Sequence, residues 1–552
     1  MSSTPDAVVV GAGHHGLVAA NMLADQGWDV VVLEAADVAG GAVRTAELTV
    51  PGFHHDVFSA FYPLAAASPV LADLHLEDHG LRWRRAPLAL ANPTPGGPTA
   101  VISTDVDVTA ASLDAFAPGD GERWRALFDQ WMRLDPHVVA AVLAPFPPLR
   151  PALPLVTRLL RDGGTAELAR FARFALLPAR RMGDERFSGE GGPLLLAGNA
   201  LHADLAPESP GSGVYGWLLA MLAQQVGFPV PEGGAGRLTD ALVARMQARG
   251  VELRCGERVV AVDVTGGRAT GVRTAGGETI PASRAVLADV AAPELYLHLV
   301  GTEHLPAATT SDVRAFEWDA ATFKVDWALS APIPWSDPRC RQAGTVHLAD
   351  SVDHLSDVAN ALATRRIPDA PFCLVGQQSM TDRTRMPAGA ETAWSYAHIP
   401  HQPRRDLGPD GLTGRWDDDE AAIFAARMED RIETYAPGFR RSVLGRHILT
   451  PAAMQAADAN LVDGAISGGT AKLHQQLVFR PVPGLGRAET PIAGLFLASA
   501  SAHPGGGVHG ACGANAARSA LAHARANLGV RRTLSAPGAF NRRTLMPWGS
   551  HR

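Results

Sequence analysis

The segment that most constrains the fold of this chain is the glycine loop Gly11-Ala12-Gly13-His14-His15-Gly16 near the N-terminus. A short apolar run, Ala7 to Val10, precedes the loop, and an apolar helix, Leu17 to Gln26, follows it. The next predicted strand, Asp29 to Leu33, ends at the acidic residue Glu34. A lone glycine pattern is a weak signal, but here it lies in a complete β-α-β unit, the context in which dinucleotides bind. The sequence therefore predicts a Rossmann-like α/β domain.

Each glycine of the loop has a predicted part in this dinucleotide site. Gly11 allows the tight turn out of the strand, Gly13 lets the backbone approach a diphosphate, and Gly16 lets the helix pack closely on the sheet. The start of the helix offers unpaired N–H groups and the positive end of its dipole to the phosphates. Glu34 is predicted to accept hydrogen bonds from ribose hydroxyl groups.

Two further glycine clusters indicate which dinucleotide is bound. Gly40-Gly41-Ala-Val-Arg44-Thr45 follows the β-α-β unit, and His503-Pro-Gly-Gly-Gly-Val-His-Gly510 lies near the end of the chain, ahead of another predicted helix. The first cluster extends the site beyond what a nicotinamide domain needs. The second brings a helix start to the far end of the site, where it can stabilise the negative charge of a reduced flavin. FAD is therefore the predicted cofactor.

The length of the chain and its changing pattern predict two large lobes. At 552 residues the chain is too long for one ordinary core. Proline-broken helical stretches, including 123–134 and 157–177, replace the α/β pattern after residue 60, and glycine-rich segments with short strands return at residue 231. The predicted fold class is α/β: a Rossmann-like FAD-binding domain with a β-meander, assembled from discontinuous segments, and a mixed α+β substrate domain. The predicted boundaries are 1–60, 231–300 and 485–530 for the FAD-binding domain, 61–230 and 301–484 for the substrate-binding domain, and 531–552 for a C-terminal tail.

Together the motifs resemble those of the phytoene desaturase-related flavoproteins, and most of all their pyridine nucleotide-disulfide oxidoreductase-like branch. The motifs are the three glycine clusters, Pro-Gly-Phe-His-His-Asp at 51–56 and Pro-Glu-Gly-Gly-Ala-Gly-Arg-Leu at 231–238. The resemblance covers residues 7 to about 525 and implies a glutathione-reductase-type FAD fold with a substrate domain as in amine oxidases. It implies FAD contacts at Gly11, Gly13, Gly16, Glu34, Gly41, Arg44, Val259 and Val508, with the Val259 backbone at the adenine end. The neighbouring residues predicted to complete the cofactor site are His15, Ala35, Gly40, Thr45, Gly507 and Ala511. His15 departs from the pattern, because such relatives often have asparagine there.

Lysine usage singles out one residue of the substrate domain. Among 49 cationic residues only Lys324 and Lys472 are lysines. Lys324 lies in an alternating strand, Thr322 to Leu329, which places Lys324 and Asp326 on the same face. The similar strand of amine-oxidase-like flavoproteins carries a lysine that holds a water at flavin N5, and this is one predicted catalytic role of Lys324. The alternative is an ion pair with Asp326.

Histidines bracket the terminal glycine cluster. His503 and His509 are the candidates for taking a substrate proton near neutral pH, and the alternative is that they only hydrogen-bond their own loop. His398 and His401 have no partner ligands at useful spacing, so no metal site is predicted.

Charge and cysteine content exclude several classes of protein. A formal net charge of -7 offers no basic surface for nucleic acid. The four cysteines are far apart, which indicates a reducing compartment and argues against a flavin disulfide reductase.

No export signal or membrane-spanning run is recognised, so a cytoplasmic location is predicted. The apolar run Val138 to Leu149 is either a buried loop or a point of substrate entry and peripheral membrane contact.

These features predict an FAD-dependent dehydrogenase or desaturase. A hydride would pass from an apolar small-molecule substrate to flavin N5, and oxygen or a quinone-like acceptor would reoxidise the flavin. Three alternatives stay open. A flavin amine oxidase would need an aromatic cage, for which only five tyrosines are available. A flavin-dependent isomerase would use reduced FAD without net turnover. A redox-inactive lipid-binding or escort-type protein on the same fold is disfavoured by the intact glycines at 505–507.

Overall fold

The predicted β-α-β unit forms the centre of a parallel sheet. The computed structural model describes residues 4–535; elements are numbered in chain order. In spatial order the sheet contains β21 (Leu495–Leu497), β13 (Ala285–Ala288), β1 (Ala7–Val10), β2 (Val30–Leu33) and β9 (Glu252–Arg254). All neighbouring strands run parallel. Because the strands come from three separated parts of the chain, the predicted assembly from discontinuous segments is confirmed, while the domain boundaries stay a prediction.

Alternate residues of the central strands pack on opposite faces of this sheet. Ala7 and Val9 share a core with three helices, whereas Val8 and Val10 share a core with a three-stranded antiparallel meander. The helices are α1 (His14–Ala24), α10 (Gly236–Gln247) and α16 (Ala511–Ser535), and the meander strands are β10 (Val259–Thr265), β11 (Arg268–Thr274) and β12 (Thr279–Pro281). Burial on both faces explains why the strand at residues 7–10 is apolar throughout.

A seven-stranded mixed sheet forms the core of the second lobe. In spatial order it contains β20 (Val443–Leu449), β14 (Ala321–Leu329), β18 (Glu391–Ile399), β17 (Cys373–Gln377), β15 (Ala343–Leu348), β6 (Leu88–Pro93) and β7 (Thr99–Ile102). Only the pair β15 and β6 is parallel among these neighbours. Phe323, Val325 and Trp327 of β14 pack with α13 (Asp418–Tyr435) on one face of the sheet. The other face of β14 carries Lys324, as the alternation predicts.

The remaining elements connect and cover the two sheets. Three two-stranded ribbons pair β3 (Thr45–Glu47) with β4 (His54–Asp56), β5 (Trp83–Arg84) with β8 (Val230–Pro231), and β16 (Arg366–Ile367) with β19 (Arg405–Asp406). The other helices are α2 (Pro63–Ala67), α3 (Pro69–Ala72), α4 (Val106–Asp114), α5 (Asp120–Leu143), α6 (Leu149–Leu176), α7 (Ala179–Arg186), α8 (Gly191–His202), α9 (Ser212–Val226), α11 (Ala307–Arg314), α12 (Val352–Ala363), α14 (Phe439–Ser442) and α15 (Pro451–Ala457).

Helices α5 and α6 are longer than the sequence predicts. Helix α5 continues through Pro136 to Leu143, and α6 begins at Leu149 and is interrupted at Gly163 and Gly164. The run Val138 to Leu149 is therefore the end of one helix and the start of the next, with only its proline-rich centre as a loop. No helix among residues 4–535 combines the length and apolar character that crossing a membrane requires. Helix α16 takes in the first residues of the predicted tail, and residues 536–552 of that tail lie outside the described residues.

Candidate active site

A cavity of about 1760 Å³ runs from the carboxyl ends of β1, β2 and β13 to the seven-stranded sheet. Sites for one small ligand usually measure roughly 300–1,000 Å³, so this cavity has room for a dinucleotide and a second molecule. We call its two parts the nucleotide end, lined by the loops that follow β1, β2 and β13, and the chamber, lined by β14, β15, β17 and β18 and by helices α5, α6, α8 and α9.

The glycine loop at the nucleotide end has no space for side chains. Gly11 has φ of 94°, and a Cβ atom there would lie 2.7 Å from the carbonyl oxygen of Asp289. A Cβ atom at Gly13 would lie 2.6 Å from Asp289 Oδ2, and one at Gly16 would collide with the Gly11 carbonyl oxygen. The loop therefore needs glycine at all three positions, and it leaves the start of α1 bare towards the cavity, as a diphosphate site requires.

Glu34 lies at the end of β2 and is tied to both neighbouring loops. Its Oε2 accepts a hydrogen bond from the Ala12 N–H at 2.7 Å, and its Oε1 accepts one from the Ala36 N–H at 2.8 Å. The residue lines the cavity together with Ala35 and with Val259 at the start of β10. The three predicted residues of the ribose and adenine region are therefore brought together.

Asp289, which sequence reasoning missed, completes the loop. It follows β13 directly, and its Oδ2 accepts a hydrogen bond from the Gly16 N–H at 2.8 Å. Burial raises the pKa of this carboxyl to about 8, and the neighbouring carboxylates Asp458 and Glu34 act in the same direction. An acidic residue directly after a buried parallel strand is a signal that the sequence does contain.

The second glycine cluster divides into residues that line the cavity and residues that support it. Gly41 and Arg44 line it; Arg44 donates from Nε to the Gly41 carbonyl oxygen and from Nη2 to the Ala457 carbonyl oxygen, each at 2.9 Å. Gly40 instead donates from its N–H to the Ala12 carbonyl oxygen at 2.9 Å and joins the two glycine clusters. Thr45 lies behind the cavity wall, where its Oγ1 accepts a hydrogen bond from the Gly236 N–H at 3.0 Å.

In the terminal glycine cluster, Gly507 and Val508 line the cavity, whereas Ala511 is buried at the start of α16. His509 Nδ1 accepts a hydrogen bond from the Ala511 N–H at 3.0 Å, and its Nε2 lies 3.2 Å from the Gly505 carbonyl oxygen. Both nitrogens of His509 are thus engaged with the loop, which is the alternative role set out above. Burial lowers the pKa of His509 to about 3, so the acid–base role stays a prediction that this geometry does not support.

The two other predicted histidines differ in position. His503 lines the cavity 5.9 Å from the Phe146 ring, and burial lowers its pKa to about 4. His15 also lines the cavity, although almost all of its surface is buried, and its ring lies 5.1 Å from that of His509. Ligand atoms of His15, His509 and Cys512 lie within 4.8 Å of one another. Because His509 has no free lone pair, this group is not arranged to bind a metal ion.

Lys324 lies on the cavity wall and is paired at the same time. Its Nζ donates to the Asp56 carbonyl oxygen at 3.0 Å and to both carboxylate oxygens of Asp326 at 2.6 Å. The three contacts match the three protons of an ammonium group. Burial raises the pKa of Asp326 to about 6, and Lys324 opposes that rise. The ion pair predicted as the alternative is therefore present, and it holds the Lys324 charge beside the cavity; the role of holding a water at flavin N5 stays a prediction.

A second buried ion pair joins the two lobes. Arg385 Nη1 lies 2.7 Å from Asp56 Oδ2, and neither side chain is accessible to solvent. The other carboxylate oxygen of Asp56 accepts a hydrogen bond from the Ala235 N–H at 2.7 Å. Asp56 thus connects the motifs at 51–56 and 231–238, and Arg385 neutralises it from the segment before β18. No local pattern marks Arg385 in the sequence, since its partners are far away along the chain.

One face of the seven-stranded sheet forms the floor of the chamber. In the strand register Lys324 is opposite Tyr396, Tyr396 is opposite Leu374, and Leu374 is opposite His347. Trp394 precedes Tyr396 by two residues, and their rings are nearly parallel at 13° with centroids 6.1 Å apart. Sequence reasoning missed this row, because the partners of Trp394 and Tyr396 on the neighbouring strands are far away along the chain.

The walls of the chamber are apolar. They include Val138, Ala141, Val142 and Leu143 of α5, Leu176 of α6, and Val214, Leu218 and Leu219 of α9. None of the described lining residues on the elements of the chamber is Asp or Glu. The acidic lining residues lie at the nucleotide end, where Glu34 and Asp289 are examples.

His202, at the end of α8, is the main polar side chain on the helical side. Its Nδ1 lies 2.8 Å from the Tyr396 hydroxyl group, and its ring is nearly parallel to that of His347 at 6.3 Å. Burial lowers the pKa of His202 to about 4. The chamber therefore combines apolar walls with neutral hydrogen-bonding groups.

The chain is similar in sequence and in structure to known oxidoreductases. The family model described as flavin containing amine oxidoreductase matches residues 16–318. The chain is 31% identical to pyridine nucleotide-disulfide oxidoreductase domain-containing protein 2 of Rattus norvegicus, over 93% of this chain and 92% of that protein. It is 23% identical to a limonene dehydrogenase chain of Castellaniella defragrans, covering 93% and 94% of the two chains. It is 24% identical to a lycopene-forming phytoene desaturase of Paracoccus sp., covering 92% and 95%. A solved oxidoreductase from Methanosarcina mazei superposes with a TM-score of 0.60 at 16% identity, covering 94% and 99%.

Proposed function

Because the chain belongs to the family of flavin containing amine oxidoreductases and is an FAD-dependent oxidoreductase, we propose that it dehydrogenates an apolar organic molecule held in the chamber. The observation that carries this proposal is the lining of the chamber, which has apolar helices on one side and no Asp or Glu among the described lining residues of its elements. An apolar ligand buries its surface there without leaving a charge unpaired.

The relatives support a carbon–hydrogen bond as the point of attack. One belongs to a limonene dehydrogenase and another is a phytoene desaturase. Limonene and phytoene are hydrocarbons, and the apolar chamber of this chain suits molecules of that kind. The predicted resemblance to phytoene desaturase-related flavoproteins is confirmed by these relatives.

The residues at the nucleotide end fit FAD. A Cβ atom at any of the three loop glycines would collide with Asp289 or with the Gly11 carbonyl oxygen, so only glycine allows this close-packed loop, and the start of α1 supplies N–H donors for the diphosphate. In our proposal Glu34 holds the adenosine ribose, the Val259 backbone contacts adenine, and Gly507 and Val508 border the flavin. When bound, FAD accepts a hydride at flavin N5.

Lys324 is proposed to hold a positive charge beside the reacting atoms. Its Nζ is fixed by the Asp56 carbonyl oxygen and by Asp326, and of the two charged residues only Lys324 lines the cavity. A preorganised cation at this point stabilises negative charge that develops during the reaction. Reoxidation by oxygen or a quinone-like acceptor is supported because, within residues 4–535, only one parallel sheet has more than two strands, and its glycine loops are assigned to FAD, which leaves no second unit for a nicotinamide cofactor.

The substrate is proposed to enter past an apolar rim that docks on an anionic lipid surface. Leu149, Leu153 and Leu176 of α6 are 76%, 63% and 60% exposed, and Leu176 also lines the cavity. Residues 149–176 contain five arginines and two acidic residues, in a chain whose net charge is -7. Exposed leucines beside arginines favour the interface of a membrane with negatively charged headgroups.

Amine oxidation is the second candidate, favoured by the nearly parallel rings of Trp394 and Tyr396. Stacked aromatic walls of this kind receive amines or cations. The described lining residues of the chamber elements provide no carboxylate for an ammonium group, so we rank this function below dehydrogenation of a neutral molecule.

Anaerobic reduction of the holoenzyme tests the proposal. The purified protein, with FAD added, is mixed without oxygen with terpene hydrocarbons, apolar ketones and alcohols, and primary amines, and the loss of flavin absorbance is recorded. We expect bleaching by neutral apolar molecules. Bleaching by amines alone would establish the second candidate, and a protein that binds no flavin would contradict both.

A further inference from the structure

We infer that His202 and Tyr396 form an anchor for an oxygen atom of the substrate, so that the chamber takes an apolar molecule carrying a carbonyl or a similar hydrogen-bond acceptor. The inference rests on the proposed function, because it names the class of substrate that the chamber receives. It narrows that class from apolar organic molecules in general to those that carry an oxygen atom able to accept a hydrogen bond.

The side chain of His202 faces the cavity. His202 is exposed and lines the cavity, yet its surroundings remove it from bulk water enough to lower its pKa. Its exposed surface therefore faces the internal space. Asn199, one helical turn earlier on α8, lines the same space, so this face of the helix end borders the chamber.

The contact with Tyr396 determines which ring nitrogen carries the proton. The buried Tyr396 hydroxyl group lies 2.8 Å from His202 Nδ1, which is its one hydrogen-bond partner among the described residues. A phenol proton donated to Nδ1 places the proton of the neutral imidazole on Nε2. No described residue accepts a hydrogen bond from Nε2. The result is an N–H donor open to the chamber and suited to an acceptor oxygen.

The surroundings favour a neutral acceptor over an ammonium group or a bare hydrocarbon. No Asp or Glu is among the described residues by which the chamber elements line the cavity, so a cation would have no carboxylate to pair with. A hydrocarbon would leave the donor of His202 without a partner, and sites that hydrogen-bond one substrate atom discriminate strongly against analogues that lack it. An imidazole that stays neutral far below pH 7 is a poor proton carrier, so anchoring suits His202 better than acid–base catalysis.

The anchor lies beside the proposed reaction centre. Tyr396 is opposite Lys324 in the pairing of β18 with β14, and paired strands are about 4.8 Å apart. A substrate held by His202 therefore has its oxygen close to the wall that carries Lys324.

Equilibrium binding to the oxidised holoenzyme tests the anchor with three probes of one shape. The probes are 2-acetylnaphthalene, its hydrocarbon isostere 2-isopropenylnaphthalene and 1-(2-naphthyl)ethylamine, and binding is followed by the change in the flavin spectrum. We expect the ketone to bind at least as tightly as the hydrocarbon, although water must be removed from its oxygen, and the amine to bind most weakly. Tighter binding of the hydrocarbon by tenfold or more would overturn the inference.

Variants then assign the preference to the two residues. His202→Leu should weaken ketone binding roughly tenfold and leave hydrocarbon binding unchanged, because one hydrogen bond is lost. His202→Gln should restore part of the loss, since its amide also donates. Tyr396→Phe should cause a smaller loss that is again confined to the ketone, and it keeps the test available if His202→Leu does not fold. Tyr296→Phe, a buried tyrosine away from the cavity, is the matched control.

Equal losses for ketone and hydrocarbon would mean that His202 and Tyr396 only support the structure, and would overturn the anchor. These measurements need no turnover, so they separate the anchor from the proposed function. A ketone preference without anaerobic bleaching by any apolar molecule would leave the anchor standing and overturn the dehydrogenase. Bleaching together with tenfold tighter binding of the hydrocarbon, or with equal losses of ketone and hydrocarbon binding in the variants, would do the opposite.

Discussion

The nucleotide end and the chamber are two parts of one cavity built in different ways. The nucleotide end depends on backbone: three glycines leave space, and Glu34 and Asp289 bind main-chain N–H groups. The chamber depends on side chains that strand register and helix ends bring together, such as Tyr396 and His202. The comparison teaches that the cofactor is recognised by chain geometry, whereas the substrate is recognised by side chains that can change without altering the fold.

The largest effect on FAD binding is expected from a side chain placed in the closely packed glycine loop. Gly16→Val puts a branched side chain against the Gly11 carbonyl oxygen, so we expect nearly complete loss of bound FAD, measured as flavin absorbance per protein. Gly276→Ala is the control, because a Cβ atom there has only Thr274 Oγ1 nearby, at 3.6 Å. If Gly16→Val bound FAD at full stoichiometry, the backbone account of the nucleotide end would be wrong.

The ion pair between Arg385 and Asp56 is expected to give the next largest effect, a loss in the free energy of unfolding. Arg385→Met leaves Asp56 buried without its partner, which typically costs about 3–5 kcal/mol in the free energy of unfolding. Urea denaturation measures this loss. Arg415→Met removes a 73% exposed arginine from surface ion pairs and should cost less than about 1 kcal/mol. Equal effects of the two substitutions would contradict the assignment of Arg385 as the connection between the lobes.

Loss of the Lys324 charge should slow flavin reduction and leave FAD binding intact. For Lys324→Met we expect anaerobic flavin reduction to be slower by on the order of a hundredfold, as for other preorganised charges. The measurement is stopped-flow absorbance at unchanged FAD content. Lys472→Met is matched to it, because Lys472 is the only other lysine and pairs with Glu317. Unchanged kinetics of Lys324→Met would remove Lys324 from the site.

A smaller effect is expected at the nucleotide end, where Asp289 should make FAD affinity depend on pH. Burial raises the pKa of Asp289 to about 8, so the carboxyl is protonated below that pH and becomes an anion beside the diphosphate site above it. We expect FAD affinity to fall severalfold between roughly pH 7 and 9. Because the pKa of Asp289 is raised from 3.8 to about 8 in the folded protein, its contribution to folding stability is complete below pH 3.8 and is lost progressively as the pH rises to 8. Asp289→Asn should bind FAD with an affinity that is independent of pH in this range; a persisting pH dependence would exclude Asp289 as its cause.

The smallest effect concerns the rim of the chamber. Leu149→Ser combined with Leu153→Ser should lower co-sedimentation with anionic phosphatidylglycerol vesicles severalfold, because apolar area is lost from the docking face. Leu444→Ser is the control, since Leu444 is 55% exposed on β20. Equal binding by all three proteins would reject the membrane contact and leave the rest of the chamber as described.

The difference between the nucleotide end and the chamber also decides how much of the site could be predicted from the sequence. Gly11, Gly13, Gly16 and Glu34 lie within one β-α-β unit, so local spacing was sufficient to predict the parallel sheet and a bound dinucleotide, and the two further glycine clusters were needed to predict FAD. Thr45 and Ala511 were predicted as contacts from their places in the motifs, yet they lie behind the cavity wall. Sequence alone does not show which side of a loop a residue occupies.

The chamber could not be predicted in the same way. His202 and Tyr396 are 194 residues apart, and only the packing of α8 on the sheet brings them together. His503 and His509 were favoured for catalysis because they flank a glycine motif, and the structure engages His509 with its own loop. Arg385 shows the same limit, because a buried ion pair between distant segments leaves no periodic signal.

The order of strands in the parallel sheet also affects how the protein is made. β1 is complete at residue 10, but its neighbour β13 begins at residue 285, which is 275 residues later. At roughly 5–20 residues per second, the ribosome takes about 14–55 s to reach that point. During this time one edge of the first strand is open to other partners, so we expect synthesis of this chain to depend on factors that shield nascent strands.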